Sequence, residues 1–198
     1  FSLGANIVVK LAGELGEEAS RWLTSVMAVS PPLDLRACAM ALKHPRCQLY
    51  QDRFLRNMAA RLRRRHSLRP DLFRVDALDG IGSVYEFDDR ITAQFFGFGS
   101  AENYYNTQSC GLFLDAIRIP ALLVHAKDDP MIPFDVFAHP AFESNPFVRL
   151  LAVDHGGHVG FLARGKRRFW VDQVLCHWLE KTVIDAQAGN KRKQSFVP

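Results

Sequence analysis

The chain has 198 residues, 48% of them hydrophobic, and carries 25 Lys and Arg against 21 Asp and Glu, a net charge of +4. That length suits one domain with a sizeable core, the composition excludes a disordered chain, and no apolar run reaches the ~18–20 residues of a membrane span. So modest a positive charge does not by itself point to nucleic acid.

The chain opens on Phe1-Ser2-Leu3-Gly4, the last four positions of G-x-S-x-G. That pattern is a sharp strand-to-helix turn that pushes a serine hydroxyl out above a parallel sheet. Ser2 is therefore a candidate nucleophile, and the first glycine and the strand delivering the serine are expected upstream of residue 1. A helix is expected from Gly4 to about Glu17, with Val8, Leu11, Ala12 and Leu15 on one face. Trp22 to Ser30 reads as a buried strand stopped by Pro31-Pro32. Asp34 suits the cap of a helix reaching about Leu42. Pro45 breaks it, and a longer helix follows from about Cys47 to His66, with Leu49, Phe54, Met58 and Leu62 as an apolar stripe that suits core or lid packing. Residues 71–116 read as short helices with turns at Gly80, Gly82, Gly97 and Gly99. Ile119 to Val124 and Phe147 to Val153 are short apolar runs that suit buried parallel strands. A last helix is expected from about Lys166 to Thr182, with Phe169, Val174 and Trp178 facing inward. The tail from Ala186 is polar and basic and is expected to fray.

The two later strands each end in titratable residues, and open parallel sheets place their sites at such carboxyl ends. After the first comes Asp128-Asp129-Pro130. After the second comes His155-Gly156-Gly157-His158. A serine, an acid and a histidine thus follow in the order Ser, Asp, His. A serine hydroxyl is a poor nucleophile until a base takes its proton. A histidine can take that proton and later return it to the leaving group, and a carboxylate on the far ring nitrogen sets the tautomer. Asp129 suits the acid, in the turn Asp129-Pro130-Met131-Ile132-Pro133, with Asp128 as the alternative that caps the loop. His158, between Gly157 and Gly160, suits the base, and His155 a supporting loop position. The Leu3 N–H, at a helix N-terminus just after Ser2, is one candidate oxyanion donor. A second donor is expected upstream of the chain.

The block at about 31–118 has no obvious sheet strand and reads as a helical cap or lid, which would exclude water and shape an acyl pocket. Phe95, Phe96, Phe98, Tyr104 and Tyr105 are candidate substrate-binding residues of such a pocket. The alternative is that they hold the cap to the core. Asp88 and Asp89 read as helix caps or as partners of a nearby arginine rather than as metal ligands. Arg61, Arg63, Arg64, Arg65 and His66 form the densest basic cluster. A solvated helix end complementing the dipole accounts for it, and a contact with anionic lipid head groups is the sharper alternative. No spacing supports zinc, and no metal or cofactor is expected. Cys38, Cys47, Cys110 and Cys176 form no C-x-x-C pair and read as reduced, mostly buried thiols, which suits the cytoplasm.

Four stretches together resemble the YheT-like branch of the α/β-hydrolase superfamily: FSLGANI at 1–7, EFDDRITAQFFGFGSAENYY at 86–105, IPALLVHAKDDPMIP at 119–133 and HGGHVGFL at 155–162. The likeness runs from residue 1 to about residue 182. Ala5 stands where relatives often have glycine, and no acyltransferase-type H-x-x-x-x-D follows His158. The resemblance implies an α/β class: the C-terminal part of an α/β-hydrolase fold, with parallel strands, flanking helices and a cap, over residues 1–185, followed by a basic tail at 186–198. It implies Ser2 as nucleophile, Asp129 or Asp128 as acid, His158 as base, and carboxylic-ester hydrolysis, with lipid esters among the substrates. A non-catalytic relative that binds a hydrophobic ligand or partner, and acyl transfer to an alcohol by the same triad, are the alternatives. An unpaired edge at 22–30 and the absent second donor lead us to expect that the 198 residues alone are poorly soluble or loosely folded, and inactive.

Overall fold

The computed structural model describes the backbone of residues 1–163 and 168–194, and the side chains of these as far as residue 184. In chain order its main elements are α1 (Leu3–Leu15), β1 (Val26–Val29), α2 (Leu35–Leu42), α3 (Gln48–Leu68), α4 (Val84–Phe87), α5 (Ala93–Phe95), α6 (Ala101–Gln108), β2 (Ala121–Ala126), α7 (Ala141–Ser144), β3 (Val148–Val153) and α8 (Trp170–Gln194). The chain divides into two compact units. One comprises 1–33, 110–129 and 134–198. The other comprises 34–109 and 130–133.

The first unit is built on a parallel sheet in the order β1-β2-β3. Val26 pairs with Ala121 and Val29 with Val124 on one side of β2. Ala121 pairs with Val148 and Ala126 with Val153 on the other. All six residues of the central β2 are buried, as a near-continuous apolar strand covered on both faces requires. Val29, Leu122, Val124, Ala126, Phe161 and Val171 form a core against which Trp170, Val174, Leu175 and Trp178 pack, so α8 covers one sheet face.

The strand expected from Trp22 is shorter than its apolar run. Trp22 and Leu23 turn back to the Ala19 carbonyl, Trp22 is 77% exposed, and pairing begins only at Val26. The face of α1 also differs from its most apolar stripe. The buried positions are Ala5, Asn6, Val9, Ala12 and Gly13, while Leu11 is exposed and Val8 and Leu15 are half-buried. Close approach explains this. A Cβ on Gly13 would lie 2.4 Å from the Phe113 carbonyl oxygen, so only small residues let α1 reach the turn at Cys110–Ala116. Asn6 closes the contact by accepting the Cys110 N–H at 2.8 Å. Of the inward residues expected on the last helix, Phe169 instead precedes it, exposed and bridged to Leu162. The expected start at Lys166 lies outside the described residues. The backbone of α8 continues past Thr182 to Gln194, and positions 195–198 of the tail lie outside the described residues.

The second unit is helical. Asp34 caps α2 by accepting the Ala37 N–H at 2.8 Å, and Ser83 and Glu86 form a reciprocal capping box at α4. Only Gln51 and Leu62 are buried on the 21-residue α3. Leu49, expected in its apolar stripe, is 82% exposed. Asp88 is the C-cap residue of α4 through its backbone and opens a single π-helical turn, Asp88–Thr92, while its side chain meets hydroxyls. Its carboxylate accepts the Tyr105 hydroxyl at 2.7 Å and the Thr92 hydroxyl at 2.8 Å. Asp89 caps with its carboxylate, accepting the Ala101 N–H at the start of α6 at 2.8 Å.

Desolvation raises the Asp88 pKa, and its two hydroxyl donors lower it less. Because the folded pKa lies above the unfolded one, the unfolded state gives up its proton first, and Asp88 costs stability as pH rises from about 3.8. Tyr105→Phe removes a donor from the charged form. We expect a loss of about 1.5–3 kcal/mol at neutral pH, shrinking in acid where Asp88 is protonated in both states. Urea unfolding at the two pH values checks it, and an equal loss at both would rule this account out.

Candidate active site

Parallel pairing puts the carboxyl ends of the three strands side by side, and the chemistry-bearing residues gather there. Ser2 is the residue just before α1, and its N–H donates to the Val29 carbonyl at 2.9 Å, tying it to the end of β1. Asp129 follows β2 in a turn closed by its own N–H on the Ala126 carbonyl at 3.2 Å. His158 lies in the loop after β3. Its Nε2 is 2.8 Å from Ser2 Oγ and its Nδ1 is 2.8 Å from Asp129 Oδ2. A carboxylate only accepts, so Nδ1 carries the proton toward Asp129, and Nε2 is left to accept the Ser2 hydroxyl. The Asp129 side chain is fully buried and that of His158 is 13% exposed. The imidazole is thus held on one side by a dry carboxylate and is reachable from the other.

Asp128 is placed elsewhere. Its Oδ1 accepts the N–H groups of Gly156 and Gly157 at 2.9 and 2.8 Å, and its Oδ2 lies 3.3 Å from Nδ1 of the exposed His155. These partners, the Gly157 N–H first, hold its pKa below the ordinary carboxylate range. Asp128 therefore clamps the histidine loop, while its neighbour meets His158. That loop has little room. A Cβ on Gly156 would meet the Phe161 ring at 2.7 Å and Ala126 Cβ at 3.0 Å, and Gly157 is left-handed at φ 56°. The N–H groups of Gly160 and Phe161 both return to the Gly156 carbonyl.

Backbone strain marks the same place. Among the described residues, the non-glycine residues with positive φ are Ser2 at 53°, Ser30 at 50° and Phe161 at 40°. Each such residue costs about 1–3 kcal/mol and persists only where its surroundings over-determine it. Ser2 meets His158, Ser30 Oγ donates to the His158 carbonyl, and Phe161 closes the histidine loop. Sequence reading passed over Ser30, because a serine before Pro31 gives no sign of a left-handed backbone. A second buried polar side chain near the site is His125. That imidazole is fully buried on β2, stacked on Phe137 at 4.1 Å between centroids. Its Nδ1 lies 3.9 Å from Asp129 Oδ2, beyond hydrogen-bond reach.

Leu3, the candidate oxyanion donor, is the first residue of α1, where N–H groups have no partner within the helix. The five candidate substrate-binding aromatics belong to the second unit. Phe95 stacks on Phe73 and meets Phe96 edge-on, each at 4.9 Å. Phe98 leans on Tyr104, and Tyr104 on Tyr105. Phe95 and Phe96 are 46% and 63% exposed, whereas Tyr105 is buried. Burial pushes the Tyr104 hydroxyl up to about 12 and that of Tyr105 further. Cys38, Cys47 and Cys110 are buried and Cys176 is exposed. Among the described residues no group of three or more His, Cys, Asp or Glu could hold a metal ion, and no helix is long and apolar enough to cross a membrane.

Known proteins are similar to nearly the whole chain. "Putative esterase YheT" of Escherichia coli K12 is 30% identical over 192 residues, 95% of this chain and 55% of that protein. Over nearly its whole length the chain is thus similar to α/β-hydrolase relatives, YheT among them. A protein of Saccharomyces cerevisiae named "Monoacylglycerol lipase" is 33% identical over 91% of this chain and 41% of its own. An "Abhydrolase domain-containing protein" of Dictyostelium discoideum is 30% identical over 93% and 47%. The chain thus spans about half the length of these curated relatives. No protein-family model matches it. The parallel strands and flanking helices agree with partial coverage of the hydrolase fold.

Proposed function

We infer that the chain carries the catalytic triad of a serine hydrolase acting on carboxylic esters, among them acylglycerol-type lipid esters. One observation carries the reading: the continuous hydrogen-bonded chain from Ser2 Oγ through the His158 ring to Asp129. In this mechanism Ser2 Oγ attacks the ester carbonyl carbon as His158 Nε2 takes its proton, and Asp129 stabilises the imidazolium. The carbonyl oxygen becomes an oxyanion, which the Leu3 N–H at the α1 N-terminus stabilises. Collapse expels the alcohol, which receives the proton from His158, and leaves an acyl-serine. Water, deprotonated by the same imidazole, then releases the acid. An alcohol in place of that water would make the reaction acyl transfer. The relatives named as an esterase and a monoacylglycerol lipase support an ester substrate.

Fluorophosphonate labelling of the complete gene product, followed by a panel of acyl esters of graded chain length, tests the reading. Labelling at Ser2 and turnover on the panel are expected. A folded protein that neither labels nor turns over any ester would instead be a non-catalytic ligand-binding relative.

A peripheral contact with anionic lipid belongs to the same reading. On α3, Arg53, Arg56, Arg61, Arg63, Arg64 and Arg65 are exposed beside a single acid, Asp52. Leu49 and Leu68 are 82% and 72% exposed near its two ends. Each basic side chain near an anionic surface contributes about 1 kcal/mol. The complete protein is expected to sediment with phosphatidylcholine vesicles containing phosphatidylserine and not with phosphatidylcholine alone. Reversing Arg61, Arg63 and Arg64 to Glu should abolish that difference. Equal binding to both vesicles would leave the arginines as a solvated helix face.

A further inference from the structure

We propose that Ser30 is a positioning residue for His158, fixing the imidazole between Ser2 and Asp129 through a hydroxyl bond to the His158 backbone. This rests on the triad reading above. Val29 and Ser30, at the carboxyl end of β1, tie all three parts of the site together. The Val29 carbonyl accepts the Ser2 N–H at 2.9 Å, and the Ser30 N–H donates to the Val124 carbonyl of β2 at 2.8 Å. The Asp129 turn grows from the end of that strand. Ser30 Oγ donates to the His158 carbonyl, 128 residues further along the chain. The histidine loop's own turn bonds, from Gly160 and Phe161, end on Gly156, and Asp128 grips the loop at Gly156 and Gly157. Ser30 holds the histidine residue itself.

Two further features favour a role for the hydroxyl over a filler residue. Ser30 is completely buried, where a hydroxyl is costly unless it is bonded. It also sits at φ 50°, a conformation that glycine adopts without strain and serine does not. A glycine would suit the backbone better, and what serine alone adds is the donor to His158. Near-attack geometry is demanding enough that a shift of about 1 Å in a catalytic group costs about a hundredfold in rate.

Ser30→Gly in the complete gene product separates the hydroxyl from the backbone, because it relieves the left-handed strain while deleting the donor. The melting temperature is expected to change little, kcat on a turned-over ester to fall about 10- to 100-fold, and KM to stay within about twofold. The 15N shifts of the His158 ring should move toward an exchanging mixture of tautomers. Ser30→Ala keeps the strain as well as losing the donor, and should show the same kcat and ring shifts with a lower melting temperature. Unchanged kcat and unchanged ring shifts in a folded Ser30→Gly protein would overturn the proposal. If the wild-type protein neither labels nor hydrolyses, the hydrolase reading has failed, and the ring shifts alone still decide whether Ser30 positions His158.

Discussion

Ser2→Ala in the complete gene product is expected to abolish fluorophosphonate labelling and to lower ester turnover by about a million-fold, leaving only what binding and oxyanion stabilisation supply. The size of the loss follows from the geometry. Ser2 Oγ is the group that His158 Nε2 faces, at 2.8 Å, and an alanine leaves the base with no proton to take. Stability should hardly change, because alanine keeps the strained backbone at φ 53° and replaces only a half-buried hydroxyl. The mutant is thus a clean test of chemistry rather than of folding. Labelling that survives would place the reactive nucleophile elsewhere and sink the triad reading.

Asp129→Asn is expected to lower kcat by about ten-thousand-fold with the fold intact. The carboxylate accepts from Nδ1 at 2.8 Å. An amide can turn its NH2 toward Nδ1 and select the opposite tautomer, whose protonated Nε2 cannot accept the Ser2 hydroxyl. The neighbouring Asp128→Asn is the control. Its partners are two glycine N–H groups and the exposed His155, so the loss there is that of a weakened loop clamp, within about tenfold in kcat. The Asp128 pKa lies below its unfolded value, so its clamp holds above the ordinary carboxylate range and loosens as pH falls through the folded pKa. Similar losses in both kcat values, or a larger one for Asp128→Asn, would show that the acid has been assigned to the wrong neighbour.

Some of this was legible in order and spacing alone. Ser2, the acid pair and the histidine loop each follow an apolar run and stand in the sequence Ser, Asp, His, and chemistry of that kind needs those residue types at strand ends. Asp34 and Pro45 announce the start and stop of helices through local capping and ring sterics, which act within a few residues. Local patterning misjudged which apolar side chains would be buried. Trp22, Leu49 and Leu11 were expected inside, yet each is exposed, because burial depends on what packs opposite. On α1 the close approach at Gly13 selects alanines over leucines.

The choice between Asp129 and Asp128 was open in the sequence for the same reason. Adjacent side chains in a turn point in different directions, and only the folded loop places one on the His158 ring and the other on the Gly156 and Gly157 amides. Ser30 was invisible because its bond to the His158 carbonyl joins residues 128 positions apart and its left-handed backbone contradicts its own local preference. Residue identity and order determined which chemistry this chain could carry. Tertiary structure decided which atoms meet, because hydrogen-bond geometry within about 3 Å depends on long-range packing that no local pattern encodes.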